Sequence, residues 1–187
     1  MIDLKDYQKS AVENLMINVE NVLRSSESGV IVFQAPTGSG KTVVISDLLK
    51  KLAKNRKDGK KFSFIWLSVR MLHEQSKEKL EKYYEGNKSL RCSYFEDLED
   101  KKIDENEILF INWQSINKKD INIYIKENEQ DNNLNNIIEN TKNDGNDIIL
   151  ILDESHHTAN FPFFSVILNL FSSIFIISAF LLTRLFL

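Results

Sequence analysis

The chain has 187 residues, 42% hydrophobic and 27% charged, with a formal net charge of -3, which leaves room for one well-buried domain but not for two of full size. A single cysteine, Cys92, excludes an internal disulfide and a thiolate zinc cluster and sets the expected location as cytoplasmic. The slightly acidic balance gives no overall electrostatic footprint for DNA or RNA, and the opening MIDLKDYQ has no apolar core of a secretory signal.

From Tyr7 to Leu23 the residues Ala11, Val12, Leu15, Met16, Val19, Val22 and Leu23 recur at three- and four-residue intervals, which predicts a helix with one apolar face. A turn at Ser25 to Gly29 follows. Val30 to Phe33 is a short β-branched and aromatic run, and helical spacing resumes from Val43 to Ala53, so the order is strand, glycine loop, helix. Phe62 to Leu67 reads as the next strand, followed by a helix whose inner row is Leu72, Gln75, Leu80 and Tyr83. Leu90 to Phe95 and Ile108 to Ile111 are candidate strands on either side of the charged loop EDLEDKKIDENE. Cys92 is expected as a small buried hydrophobe beside Leu90 and Tyr94, His73 as exposed or partly packed, and Trp66 and Trp113 as core.

Between Ser115 and Asp147 the chain is rich in Asn, Lys and Glu and is read as a solvated insertion or a loosely packed helix through Leu134, Ile137 and Ile138. Ile148 to Leu152 (IILIL) shows no alternation, as expected of a parallel strand covered on both faces. Strands separated by helices predict a three-layer α/β domain with a mostly parallel sheet, here over residues 1–160. Residues 161–187 form an apolar tail with Arg184 as its one charge, an incomplete or atypical end of the domain. Its readings are a buried strand and helix of the sheet, a truncated or frame-shifted end, or a membrane span. The Asn, Ser and Pro breaks weigh against the span.

Two stretches carry chemistry. Ala35-Pro36-Thr37-Gly38-Ser39-Gly40-Lys41-Thr42 matches G-x-x-x-x-G-K-[ST] except at its first position. Glycine turns let successive N–H groups point inward around a phosphate, and the following helix presents its positive end. Thr37, Gly38, Ser39 and Gly40 would line such a cradle, Lys41 would meet the β- and γ-phosphates of ATP, and the Thr42 hydroxyl would ligate Mg²⁺. Asp153 and Glu154 follow the IILIL run at the carboxyl end of a buried strand, where ligands of open parallel sheets collect. Asp153 is placed to hold Mg²⁺ and Glu154 to orient the attacking water. His156 and His157 are adjacent and lack H-E-x-x-H spacing, so catalytic zinc is not expected. His156 reads better as a relay from the nucleotide site.

With these residues in view, the chain resembles the first motor lobe of superfamily 2 helicases and translocases, a RecA-like P-loop NTPase lobe, and within them the restriction (Res) subunit of type III restriction-modification enzymes. The resemblance rests on LKDYQ at Leu4 to Gln8, APTGSGKT at Ala35 to Thr42, LSVRMLHEQ at Leu67 to Gln75, FINWQSINKKD at Phe110 to Asp120 and LDESHH at Leu152 to His157. It implies that Gln8 reads adenine with Tyr7 near the base, and that catalysis runs through Lys41, Asp153, Glu154 and His156. It also implies DNA contacts near Ser68 to Arg70 and Asn112 to Gln114, through backbone and side-chain groups at Ser68, Arg70, Asn112 and Gln114. A modification methyltransferase subunit is the implied partner.

The departures matter too. Where the family has Ser-Ala-Thr, this chain has Ser178-Ala179-Phe180, and Phe180 has no hydroxyl to couple hydrolysis to movement. The family's second motor lobe and nuclease domain do not fit within 187 residues, so the expectation is ATP binding without unwinding, translocation or cleavage. The competing expectations are a non-motor interaction module, a poorly folding fragment, and a membrane-associated ATPase anchored by Phe161 to Phe180.

Overall fold

The computed structural model describes residues 3–25, 29–54, 59–68, 72–85, 89–112, 134–153 and, as backbone, 175–181. Its elements in chain order are α1 (Asp6–Ser25), β1 (Val30–Ala35), α2 (Lys41–Lys54), β2 (Lys61–Ser68), α3 (Leu72–Tyr84), β3 (Arg91–Ser93), a 3-10 turn (Phe95–Asp97), β4 (Glu107–Asn112), α4 (Leu134–Asn143), β5 (Asn146–Asp153) and β6 (Phe175–Leu181). The six strands form one sheet in the order β1-β6-β5-β2-β4-β3, and every neighbouring pair runs parallel. The three-layer α/β architecture is the one expected from the sequence, with a RecA-like parallel sheet between helices.

The apolar row of α1 puts Val12, Leu15 and Val19 in the core, each contributing about 1.5 to 3 kcal/mol by leaving water. They pack with Val44, Ile45, Leu48, Leu49 and Leu52 of α2 and Leu80 and Tyr84 of α3 on one sheet face, against Phe64, Trp66, Phe110, Ile149 and Ile151. Trp66 and Phe110 stack at 5.9 Å. On the opposite face Leu134, Ile137 and Ile138 of α4 cover Ile65, Leu67, Leu109, Ile111, Leu150 and Leu152. Central strands buried on both faces explain the unbroken apolar runs FSFIWL and IILIL.

Three expectations change. In α3 the inner row is Ser76, Leu80 and Tyr84 with Leu72 half-buried, while Gln75 is exposed, because an i, i+4 row beginning at Leu72 reaches Ser76 and not Gln75. The helix through Leu134, Ile137 and Ile138, read as part of a solvated insertion or as loosely packed, is well packed, with Leu134 and Thr141 fully buried. The charged loop before β4 is anchored by Ile103, also fully buried, whose N–H donates to Thr141 Oγ1 at 2.9 Å. Its last residue, Glu107, is 1% exposed within β4.

Phe175–Leu181, from the apolar tail, lies between β1 and β5, with Ala179 opposite both Phe33 and Asp153. Among the described residues no helix is long and apolar enough to cross a membrane.

Candidate functional site

Parallel strands end on one edge of the sheet, so β1 delivers the chain at Ala35 to the same edge at which β5 delivers Asp153. Only β6 separates the two strands, which puts them about 10 Å apart laterally at the usual strand spacing. Asp153 is level with Phe33, and Ala35 stands two residues further toward the carboxyl edge. The loop and the carboxylate therefore share one edge of the sheet, on strands that flank β6.

The loop between Ala35 and Lys41 folds on itself, with Ser39 N donating to Pro36 O at 3.2 Å and Val44 N to Gly40 O at 3.0 Å, the bond that opens α2. Gly38 and Gly40 have φ of 76° and 84°, a region that L side chains resist. Around Gly38 there is open space, whereas a Cβ on Gly40 would stand 2.4 Å from Gln8 Nε2. No acidic residue occupies the first turn of α2, so its free N–H groups and positive end are uncompensated. Lys41 Nζ reaches back to donate to Ala35 O at 3.4 Å, which holds the ammonium over the loop. Ser39 Oγ is buried with no hydrogen-bond partner among the described residues, a polar atom that a phosphate would satisfy. Left-handed glycines, an uncompensated helix start, a tethered lysine and an orphaned hydroxyl together fit an anionic phosphate chain.

The start of α1 closes over this loop. Gln8 Oε1 accepts from Lys5 N at 3.0 Å, the side-chain-to-cap half of a capping box. Its Nε2 donates to Ser39 O at 3.0 Å, and Tyr7 Oη donates to the same oxygen at 3.0 Å. The LKDYQ segment thus lies beside the phosphate loop, and one hydrogen of the Gln8 amide is already used by it. That link joins residues about thirty positions apart and no local signal announces it.

Asp153 Oδ2 accepts from Ser76 Oγ of α3 at 3.3 Å. Sequence reasoning missed Ser76 because its helix was phased on Gln75; the clue was a small hydroxyl in an otherwise apolar row. Ser68 and Asn112 are register partners at the carboxyl ends of β2 and β4. The Ser68 side chain turns inward, fully buried, and accepts from Trp66 Nε1 at 3.0 Å. Trp66 is core, as expected, and Cys92 packs half-buried against the same core. His73 stands edge-on to Tyr94 at 6.2 Å. Arg70, Trp113, Gln114, Glu154 and His156 lie outside the described residues.

Comparison with known proteins is consistent with this geometry. A family model described as type III restriction enzyme, res subunit, matches residues 1–180. No match was found among curated proteins. Among solved structures, the SWI2/SNF2 ATPase core of Sulfolobus solfataricus, solved with double-stranded DNA, has a similar fold at TM-score 0.59 and 15% identity, over 95% of this chain and 32% of that one. A nuclease-deletion mutant of the type ISP restriction-modification enzyme LlaGI, solved with a DNA substrate mimic, gives TM-score 0.56 and 17% identity, over 95% of this chain and 17% of that one. This chain therefore spans a third or less of the length of either. With the matched family model covering nearly all of it, the chain belongs to the type III restriction enzyme res-subunit family and is a superfamily 2 helicase-like P-loop lobe.

Proposed function

We propose that the chain is the Mg²⁺-ATP-binding, hydrolysis-competent lobe of a DNA translocase of the type III restriction kind. The observation that carries the reading is the convergence of the Ala35–Thr42 loop and Asp153 on one carboxyl edge, two strands apart. In the proposed mechanism Lys41 exchanges its bond to the Ala35 carbonyl for phosphate oxygens, and the Gly38, Ser39 and Gly40 amides line the rest of the cradle. The Thr42 hydroxyl and the Asp153 carboxylate would hold the metal, with Ser76 fixing the carboxylate's orientation. Magnesium, when bound, would offset the phosphate charge, and it needs few protein ligands because it keeps waters and phosphate oxygens.

Glu154 would orient the attacking water, His156 would pass the state of the site to neighbouring segments, and Gln8, with its remaining amide hydrogen, would read adenine. DNA would run over the carboxyl edge past the segments that leave β2 at Ser68 and β4 at Asn112, which are register neighbours. Because Ser68 keeps its hydroxyl on Trp66, contact there would fall to Arg70 and the backbone, with Asn112 and Gln114 beside them. Directional movement would require a second motor lobe, cleavage a nuclease domain, and recognition a modification methyltransferase subunit. Phe180 in place of the hydroxyl residue would loosen coupling within this lobe.

The test is nucleotide binding and phosphate release by the purified chain, with and without duplex DNA. Lys41→Ala should lose ATP binding, and Glu154→Gln should keep binding while turnover collapses. Unchanged hydrolysis by Lys41→Ala would overturn the reading. Binding without any DNA-stimulated phosphate release would favour an interaction module.

A further inference from the structure

Two donors from the start of α1 converge on one carbonyl of the phosphate loop, Tyr7 Oη and Gln8 Nε2 both reaching Ser39 O at 3.0 Å. A trans peptide is planar with its C=O and N–H opposed. Drawing the Ser39 oxygen toward α1 therefore turns the Gly40 N–H, in the same peptide, to the opposite side. That peptide immediately precedes Lys41 and the free N–H groups that open α2, so its orientation decides whether Gly40 adds a donor to the cradle or an oxygen that repels phosphate.

The two donors differ in what else they do. Gln8 is buried, fastened at Oε1 by the Lys5 N–H, and part of the helix cap. Tyr7 is 53% exposed and stands outside both core clusters, yet its hydroxyl crosses to the loop 32 positions away. Packing does not require a hydroxyl there, and solvent would satisfy one equally well.

We propose that Tyr7 is a positioning residue for the phosphate loop: its hydroxyl holds the Ser39 carbonyl outward so that the Gly40 amide is presented to the triphosphate. The proposal rests on the nucleotide-site reading above. It gives Tyr7 an effect on the phosphates that does not pass through the base, in contrast to the packing against adenine implied by resemblance.

Tyr7→Phe in the full chain removes Oη and keeps the ring, at an exposed position where folding should not suffer. Calorimetric affinities would be measured for Mg²⁺-ATP and for inorganic tripolyphosphate, which has no base. The expected result is that both weaken by the same factor, roughly three- to tenfold for one lost hydrogen bond, while the ligand-free melting midpoint stays put. ATP weakened with tripolyphosphate unchanged would overturn the proposal in favour of a base contact. Equal affinities in both proteins, or a lowered ligand-free midpoint, would also overturn it. A wild-type chain that binds neither ligand would instead sink the nucleotide-site reading and this proposal together, a result that is distinct because it appears before any substitution is made.

Discussion

Gly40→Ala should be the most costly small change in the phosphate loop, and its cost separates into two parts. Backbone at φ 84° costs an L residue about 1 to 2 kcal/mol. The added methyl would also stand 2.4 Å from Gln8 Nε2, so the amide must swing away from Ser39 O and loosen its hold on Lys5 N, at about 1 kcal/mol for each hydrogen bond. The sum is about 3 to 4 kcal/mol, which should appear as a lowered urea midpoint at constant m. Gly38→Ala is the internal control: its φ is 76° and nothing lies within 4 Å of the added carbon, so only the backbone cost of about 1 to 2 kcal/mol remains. In a Gln8→Ala background the clash disappears, and Gly40→Ala should then cost no more than Gly38→Ala. The double-mutant cycle would give an interaction of about 2 kcal/mol. The reasoning fails if Gly40→Ala and Gly38→Ala cost the same in the wild-type background, or if removing the Gln8 side chain leaves the Gly40→Ala cost unchanged.

Burial pushes the Cys92 thiol from 9.0 up to about 12, with the Glu81 and Glu107 charges adding to it and Lys77 offsetting part. Since the folded value lies above the unfolded one, the associated stability is complete below pH 9 and is lost as pH rises toward 12, by up to tenfold in the folding constant per pH unit. Urea midpoints of wild type and Cys92→Ala should therefore converge over that interval, and a constant gap would contradict the burial argument. Glu107 accepts from Ser93 Oγ, pairs with Arg91 Nε at 3.3 Å and accepts from Asp104 N at 2.8 Å. Glu107→Ala should cost about 3 kcal/mol by stranding those partners, with Glu107→Gln recovering part of it in the same titration. Leu48→Ala, at a fully buried position between α2 and the sheet, should cost about 2 to 5 kcal/mol, and a loss under 1 kcal/mol would mean that this face is loosely packed.

What the sequence made legible is what is encoded locally. The strand, glycine loop and helix around Ala35 to Thr42 announce themselves because two positive-φ turns and a helix start need particular residues within eight positions. IILIL is readable because a strand covered on both faces leaves no room for polar alternation. Periodicity fails where side-chain type misleads. Gln75 and Tyr83 mimicked an inner row that belongs to Ser76 and Tyr84, and Glu107, at the end of a charged run, is a buried strand residue paired with Ser93 and Arg91. The spacing of Leu134, Ile137 and Ile138 showed a helix before β5, but the Asn-rich composition around them concealed how tightly it packs. Strand order is not written in any local pattern, so the place of β6 beside β1 was not predictable from its apolar run. Nor were the bonds from Tyr7 and Gln8 to Ser39, which depend on how α1 docks.

The position of β6 has a consequence for assembly. Among the described strands β1 pairs with β6 alone, and β6 joins it to β5. On a ribosome, synthesis proceeds from the N-terminus, so the strand carrying the lysine loop leaves first while the strand that stitches it to the acidic side leaves more than a hundred residues later. Until then β1 and β5 have no ladder in common. Nascent chains halted before residue 175 should therefore expose the glycine loop to protease, and chains long enough to release Leu181 should abruptly protect it.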